Sequence, residues 1–275
     1  MAATLAAQTP APDLKQNPAA ARAPLNPALP TLFVAGDSTA ARGRGETQQG
    51  WAVPFADYFD LAKVNVANRA RGGRSSRTFI TEGLWAQLLT DLKAGDIVLI
   101  QFGHNDASPV NEDDSVPVAA RRARGSIPGL GEETRAVDNI ITKKAEVVHT
   151  FGWYLRKMIA DTKAKGATPI VLSLTIRSVW KDGKVERGTR HSRWSAEVAR
   201  AAGVAFFDLS NAMADAFDAL GEAQTKALYP QDHTHFGAVG ADLHAARVVA
   251  GLKAMPASPI AGVLSPQGTA VAAAP

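Results

Sequence analysis

Apolar residues recur along the chain in two alternating rhythms. Short unbroken runs occur at "TLFVA" (31–35), "KVNVAN" (63–68), "DIVLIQFG" (96–103), "TPIVLSL" (168–174) and "VAFFDL" (204–209). Such runs, bounded by Gly, Pro or charged residues, predict strands buried on both faces. Between them the spacing widens to three and four. It predicts helices over "EGLWAQLLTDL" (82–92), "AEVVHTFGWYLRKMIADTKAKG" (145–166), "SRWSAEVARAAG" (192–203) and "GAVGADLHAARVVAGLKAM" (237–255). Gly166 and Gly203 stand where helices commonly stop. Strand followed by helix, repeated along the chain, predicts a parallel sheet covered by helices on both sides.

In open sheets of this kind ligands bind beyond the carboxyl ends of the strands. Small and polar residues collect at those ends. "GDST" follows the first strand, "RGGRSSR" the second and "GHND" the third, while "DHTHF" lies in the loop before the last helix. One edge of the sheet therefore gathers the residues able to do chemistry.

Composition narrows the classes. The chain has 275 residues, of which 46% are hydrophobic and 20% charged, as in ordinary globular domains. With no Cys there is no disulfide, no thiolate metal site and no Cys nucleophile. A net charge of +4 permits an acidic ligand without demanding nucleic acid. No run approaches the roughly 20 apolar residues of a membrane span. The expected division is an Ala/Pro-rich flexible leader (1–30), one domain (31–255) and a low-complexity tail (256–275). "TLAAQTPAP" reads as the stretch just after a removed export signal, so a secreted or periplasmic location is expected.

A serine hydroxyl is a weak nucleophile until a base takes its proton, and the usual base is a His oriented by a carboxylate. Ser38 in "GDST" is the candidate nucleophile, although Ser at a strand end is more often a helix cap. "YPQDHTHFG" offers Asp232 and His235 three residues apart, a spacing that lets the carboxylate reach one ring nitrogen and leaves the other for Ser38. His233 is the rival, but its place next to Asp232 directs it elsewhere. The attacked carbonyl needs donors for its developing charge. The Ser38 N–H, the Gly73 N–H and the Asn105 side-chain amide are the candidates; each is also explicable as ordinary turn structure.

The blocks "GDST", "GGRSSRTF", "GHND" and "DHTHF", in this order, resemble the SGNH hydrolases. From about residue 31 to 255 the chain is similar to the rhamnogalacturonan acetylesterase branch, with "GWAVPFADYF", "RGSIPGLGEET", "VVHTFGWYLRKMI" and "TIRSVWKDGKVERG" in support. The resemblance implies a flavodoxin-like three-layer α/β/α fold with a five-stranded parallel sheet. It implies Ser38 as nucleophile, His235 as general base and Asp232 as its orienting acid. Gly73 and Asn105 would complete the oxyanion hole. No cofactor is implied.

Other residues carry weaker signals. His104 and Asp106 flank Asn105; with Asp232, His233 and His235 they form a conceivable metal set, though hydrogen bonding that fixes the loop is the expected role and no metal is expected. Arg69, Arg71, Arg74 and Arg77 cluster after the second strand, and Arg121, Arg122 and Arg124 in the insert at 107–140. A solvated basic face is expected for most of them. Arg74, beside Gly73, is the exception and the candidate for an anionic sugar. Of Trp51, Trp153 and Trp180, the last sits in a polar loop and is the candidate for stacking on sugar. The expected function is removal of O-acetyl groups from an acidic polysaccharide, with no nucleic-acid or membrane partner. A short-chain esterase, lipase or thioesterase of the same fold, and a non-catalytic sugar-binding protein, are the alternatives.

Overall fold

The computed structural model describes residues 24–43 and 47–274. Along the chain, β1 (Thr31–Gly36) and β2 (Asn65–Asn68) precede helices α1 (Ser76–Thr81) and α2 (Leu84–Asp91), then β3 (Ile97–Gln101). A hairpin of β4 (Thr134–Asp138) and β5 (Ala145–His149) leads into α3 (Phe151–Ala164) and β6 (Thr168–Leu172). A smaller hairpin, β7 (Trp180–Lys181) and β8 (Lys184–Val185), precedes α4 (Arg190–Ala201) and β9 (Ala205–Phe207). Helices α5 (Leu209–Leu220), α6 (Glu222–Ala227), α7 (Ala238–Ala254) and α8 (Pro266–Ala270) complete the domain.

β1, β2, β3, β6 and β9 form one parallel sheet in the order β2-β1-β3-β6-β9. Alternate residues of β1 face opposite layers, as the two-residue repeat of a strand requires. Leu32 and Val34 pack with Met213 and Phe217 of α5 and Val248 of α7. Phe33 and Ala35 pack with Phe79 of α1, Leu88 of α2, Phe151 and Met158 of α3 and Val198 of α4. Both faces are thus covered, which is why the strands read as unbroken apolar runs. Because β1 has β2 on one side and β3 on the other, the strand order reverses there. That reversal opens a crevice at the carboxyl end of β1, where Ser38 lies.

The helix expected over 145–166 begins only at Phe151. Residues 145–149 instead pair antiparallel with β4, from Ala145 opposite Asp138 to His149 opposite Thr134. The Val147–Val148 pair favours a strand, and Thr150 then caps the helix by accepting a hydrogen bond from the Trp153 N–H at 3.0 Å. The fifth strand ends at Phe207 because Asp208 caps α5, its carboxylate accepting from the Asn211 N–H at 3.2 Å. Helices α1, α5 and α6 and the β7–β8 hairpin are additions to the sequence reading. Residues 1–23 of the expected leader lie outside the described residues, while Leu25 packs against the α1–α4 layer. Residues 256–274, set apart by composition, are packed on the domain: Ile260 is fully buried, and the Ser265 N–H donates to the Tyr58 carbonyl at 3.1 Å. Among the described residues no helix is long and apolar enough to cross a membrane.

Arg77 departs from the solvated face expected for its cluster. It is wholly buried, donating to both carboxylate oxygens of Glu146 at 2.7 Å and to the carbonyls of Val110 and Gly125 at 2.6 and 2.8 Å. One guanidinium thereby ties α1 to β5 and to both ends of the insert. Removing one member of a buried pair strands the other, a loss of about 3–5 kcal/mol. Arg77→Ala is therefore expected to lower the urea-unfolding free energy by that amount. A change within about 0.5 kcal/mol, the range of an ordinary surface substitution, would contradict it.

Candidate active site

β1 runs out at Gly36 into a turn held by Asp37, whose Oδ1 accepts from the Thr39 N–H at 2.9 Å and the Thr39 hydroxyl at 2.8 Å. This turn lifts the half-buried Ser38 above the sheet edge. Ser38 Oγ lies 2.9 Å from His235 Nε2, and His235 Nδ1 lies 2.7 Å from Asp232 Oδ2. The other oxygen of Asp232 accepts the backbone N–H groups of Thr234 at 2.6 Å and His235 at 2.7 Å. The carboxylate thus closes its own turn and orients the ring with the same group. Burial works to raise the Asp232 pKa. The hydrogen bonds from the His235 ring, the two backbone amides and the imidazole charge together outweigh it and hold the carboxyl below its usual range. His233 is exposed; its carbonyl accepts from the Ser178 N–H at 2.8 Å, and it does not join this line.

The segment after β2 passes close to the serine: a Cβ placed on Gly72 would stand 3.7 Å from the Ser38 Cβ. Gly73 has φ +76°, a left-handed conformation that favours glycine. Asn105 Nδ2 donates to the Arg74 carbonyl at 3.0 Å, which fixes this segment and commits one of the two amide hydrogens. Gly103 sets the approach of the Asn105 loop. Its φ is +148°, and a Cβ there would come within 2.8 Å of His191 Cβ. Ser38, Gly73 and Asn105 are accordingly held on neighbouring strand ends by rigid local structure.

His104 and Asp106 support this loop. His104 Nε2 lies 3.0 Å from the Thr175 hydroxyl. Burial, with the charges of Arg177 and His235, pushes the ring pKa down against the pull of Asp37, which favours the neutral ring. Asp106 accepts both the N–H of Ser76, at 3.1 Å, and its hydroxyl, at 2.5 Å. Burial raises its pKa to about 6, hydrogen bonds from Ser76 and Ser126 restrain the rise, and the charge of Asp37 adds to it. Among the described residues no group of three or more His, Cys, Asp or Glu is arranged to hold a metal ion.

Of the two candidates for substrate contact, Arg74 is held by protein partners: its Nε donates to Glu82 at 2.8 Å and its Nη1 to the Gly72 carbonyl at 2.9 Å. Trp180 is half-buried against the α5–α7 layer, with its indole N–H 3.3 Å from the Ser178 hydroxyl. Trp51 is core, donating to Gln101 at 2.8 Å, and Trp153 stacks on His149 with ring centres 3.7 Å apart. A second arginine, Arg124, also reaches this segment, its Nη1 lying 3.4 Å from the Gly73 carbonyl. Its membership of an arginine cluster was visible in sequence; its partner, 51 residues away, was not.

A serine, a histidine and an aspartate aligned at the carboxyl edge of a parallel sheet is the arrangement of a serine hydrolase. The model of the GDSL-like Lipase/Acylhydrolase family matches residues 34–243, and the chain belongs to that family. It is 34% identical over 215 residues to a rhamnogalacturonan acetylesterase of Emericella nidulans, covering 78% of this chain and 80% of that one. It is 27% identical to a probable rhamnogalacturonan acetylesterase of Bacillus subtilis, YesY, over 81% of this chain and 92% of the relative. Among solved structures, protein YxiM of Bacillus subtilis superposes with a TM-score of 0.63 at 25% identity, over 79% of this chain and 54% of that one.

The raised Asp106 gives a pH test of this architecture. Its folded pKa, about 6, lies above the ordinary 3.8. Between those values the folded state holds the proton and the unfolded state has lost it. Stability is therefore fully present below about pH 4 for this group and is lost as pH rises through 6, on the order of 3 kcal/mol in all. Asp106→Asn is expected to remove that slope when unfolding free energy is measured from pH 4 to 7. An unchanged slope would show that Asp106 does not set it.

Proposed function

We propose that this enzyme removes acetyl groups from an acidic cell-wall polysaccharide, acetylated rhamnogalacturonan above all, through an acetyl-serine intermediate. The carrying observation is the unbroken line from Ser38 Oγ through the His235 ring to Asp232. His235 takes the serine proton as Oγ attacks the acetyl carbonyl; only the neutral ring can accept it. The tetrahedral oxyanion is held by the N–H groups of Ser38 and Gly73 and the remaining Asn105 amide hydrogen. The same imidazolium protonates the departing sugar hydroxyl. His235 next deprotonates a water, which attacks the acetyl-serine, and the collapse releases acetate and restores Oγ–H. Asp232 stays ionised throughout and stabilises the imidazolium. The substrate assignment is supported by the two rhamnogalacturonan acetylesterase relatives. Action on a cell-wall polymer also fits the secreted or periplasmic location proposed from the N-terminal sequence.

Ser38→Ala deletes one hydroxyl from a half-buried residue. It is expected to abolish acetate release from acetylated pectin, by several orders of magnitude, with an unchanged melting temperature. His235→Ala is expected to be nearly as damaging and His233→Ala far less so. A Ser38→Ala enzyme retaining more than about a tenth of wild-type rate would overturn the mechanism. On nitrophenyl esters the rate is expected to fall beyond about four acyl carbons, as a small acyl pocket requires; a preference for long chains would move the reading to a lipase.

A further inference from the structure

The arginines around the site differ in how their charge is met. Arg69 pairs with Asp91, Arg74 with Glu82, Arg77 with Glu146 and Arg121 with Asp114. Arg124 makes no ion pair with a carboxylate among the described residues. Its Nε donates to the Ser108 hydroxyl at 3.1 Å and its Nη1 to the Gly73 carbonyl at 3.4 Å, both neutral acceptors. The guanidinium lies against the face of Gly73, where a Cβ would stand 3.5 Å from Nη1. Its backbone is pinned as well. The N–H groups of Arg124 and Gly125 both donate to the Pro109 carbonyl, at 3.3 and 2.9 Å, and any side chain at 125 would strike the Ser108 carbonyl.

A half-buried cation with no carboxylate in contact is uncomfortable. Burial and the neighbouring charges of Arg122 and Arg74 all work to lower the Arg124 pKa, with only Asp37 opposing them. An anion arriving from the cleft would relieve both effects. Two of the five guanidinium N–H donors are occupied, which leaves Nη2 and one Nη1 hydrogen for the planar, two-oxygen geometry of a carboxylate.

We infer that Arg124, and not Arg74, binds the carboxylate of the acidic sugar, on the acetylated residue or its immediate neighbour, and so sets specificity for polyanionic esters. The inference rests on the acetylesterase reading above. It gives a use to a cation that stands beside Gly73 although ester hydrolysis itself needs none: the sugar carboxylate would be held next to the segment proposed to bind the acetyl oxyanion.

The test compares acetylated galacturonate oligomers with the same oligomers methyl-esterified at the carboxyl, with nitrophenyl acetate as a neutral reference. Arg124→Gln is expected to reduce the ratio of kcat/KM for the acidic over the methyl-esterified oligomer by roughly ten- to hundredfold, mainly through KM. Arg124→Lys is expected to recover part of the ratio, because charge returns without the fork. Arg74→Gln is expected to keep the wild-type ratio. Equal losses on all three substrates would make Arg124 a loop brace and overturn the inference, as would an unchanged ratio or a ratio that follows Arg74. A wild type that hydrolyses nitrophenyl acetate but neither oligomer would overturn the acidic-polysaccharide reading itself, and this assignment with it.

Discussion

The hydrogen bonding of three consecutive residues, Ser75, Ser76 and Arg77, holds the rest of the site in register. Ser75 caps α1 reciprocally with Thr78, at 3.0 and 2.9 Å. Ser76 gives its N–H and hydroxyl to Asp106 in the loop after β3. Arg77 reaches in another direction to Glu146 and to two carbonyls of the insert. The two strand-end loops and the insert are therefore positioned from one short helix start. These bonds are buried or part-buried, so they would be costly to leave unmade. Gly73 and Asn105 inherit their placement from this junction, and Arg124 is fixed at the far side of the same insert.

The catalytic line itself needs little of that support. Asp232 organises its own turn through two backbone amides and orients His235 with its second oxygen. Proximity in sequence makes the acid–base pair nearly self-contained, and only the approach to Ser38, 197 residues away, depends on the fold. Ser38, Gly73 and Asn105, the donors proposed for the oxyanion, are the reverse case. They come from three different strand ends and mean nothing until the sheet brings those ends together.

That contrast explains what could be read from the residues. The sheet and its crevice were legible because unbroken apolar runs and glycine-bearing strand ends are local signals. The Asp232–His235 pair was legible because its spacing carries its geometry. The fate of each arginine was not. Arg74 has Glu82 eight residues on, Arg77 finds Glu146 after 69 residues, and Arg124 meets Gly73 across 51. Long cationic side chains choose partners through tertiary packing, which composition does not encode. The residues 145–149 failed for a related reason. Their apolar spacing fits a helix, but β4 supplies a partner strand that periodicity cannot anticipate. Helix α5 did carry a signal, Leu209, Met213 and Phe217 on one face, behind the Asp208 cap.

Three aspartates within the site show how surroundings divide one chemical group among different tasks. Asp232, held below its usual range by the hydrogen bonds that outweigh its burial, is biased toward the anion that suits an imidazolium. Asp106, raised to about 6 by burial, changes charge in mildly acidic solution, and does so while holding the segment that carries Gly73 in place through Ser76. Asp37 spends one oxygen on the turn that presents Ser38, and its other oxygen is buried with no hydrogen-bond partner among the described residues. The charge of Asp37 acts on Arg124, opposing the burial that lowers the guanidinium pKa. The turn that presents Ser38 and the arginine beside Gly73 are therefore coupled through space as well as through the backbone that each one grips.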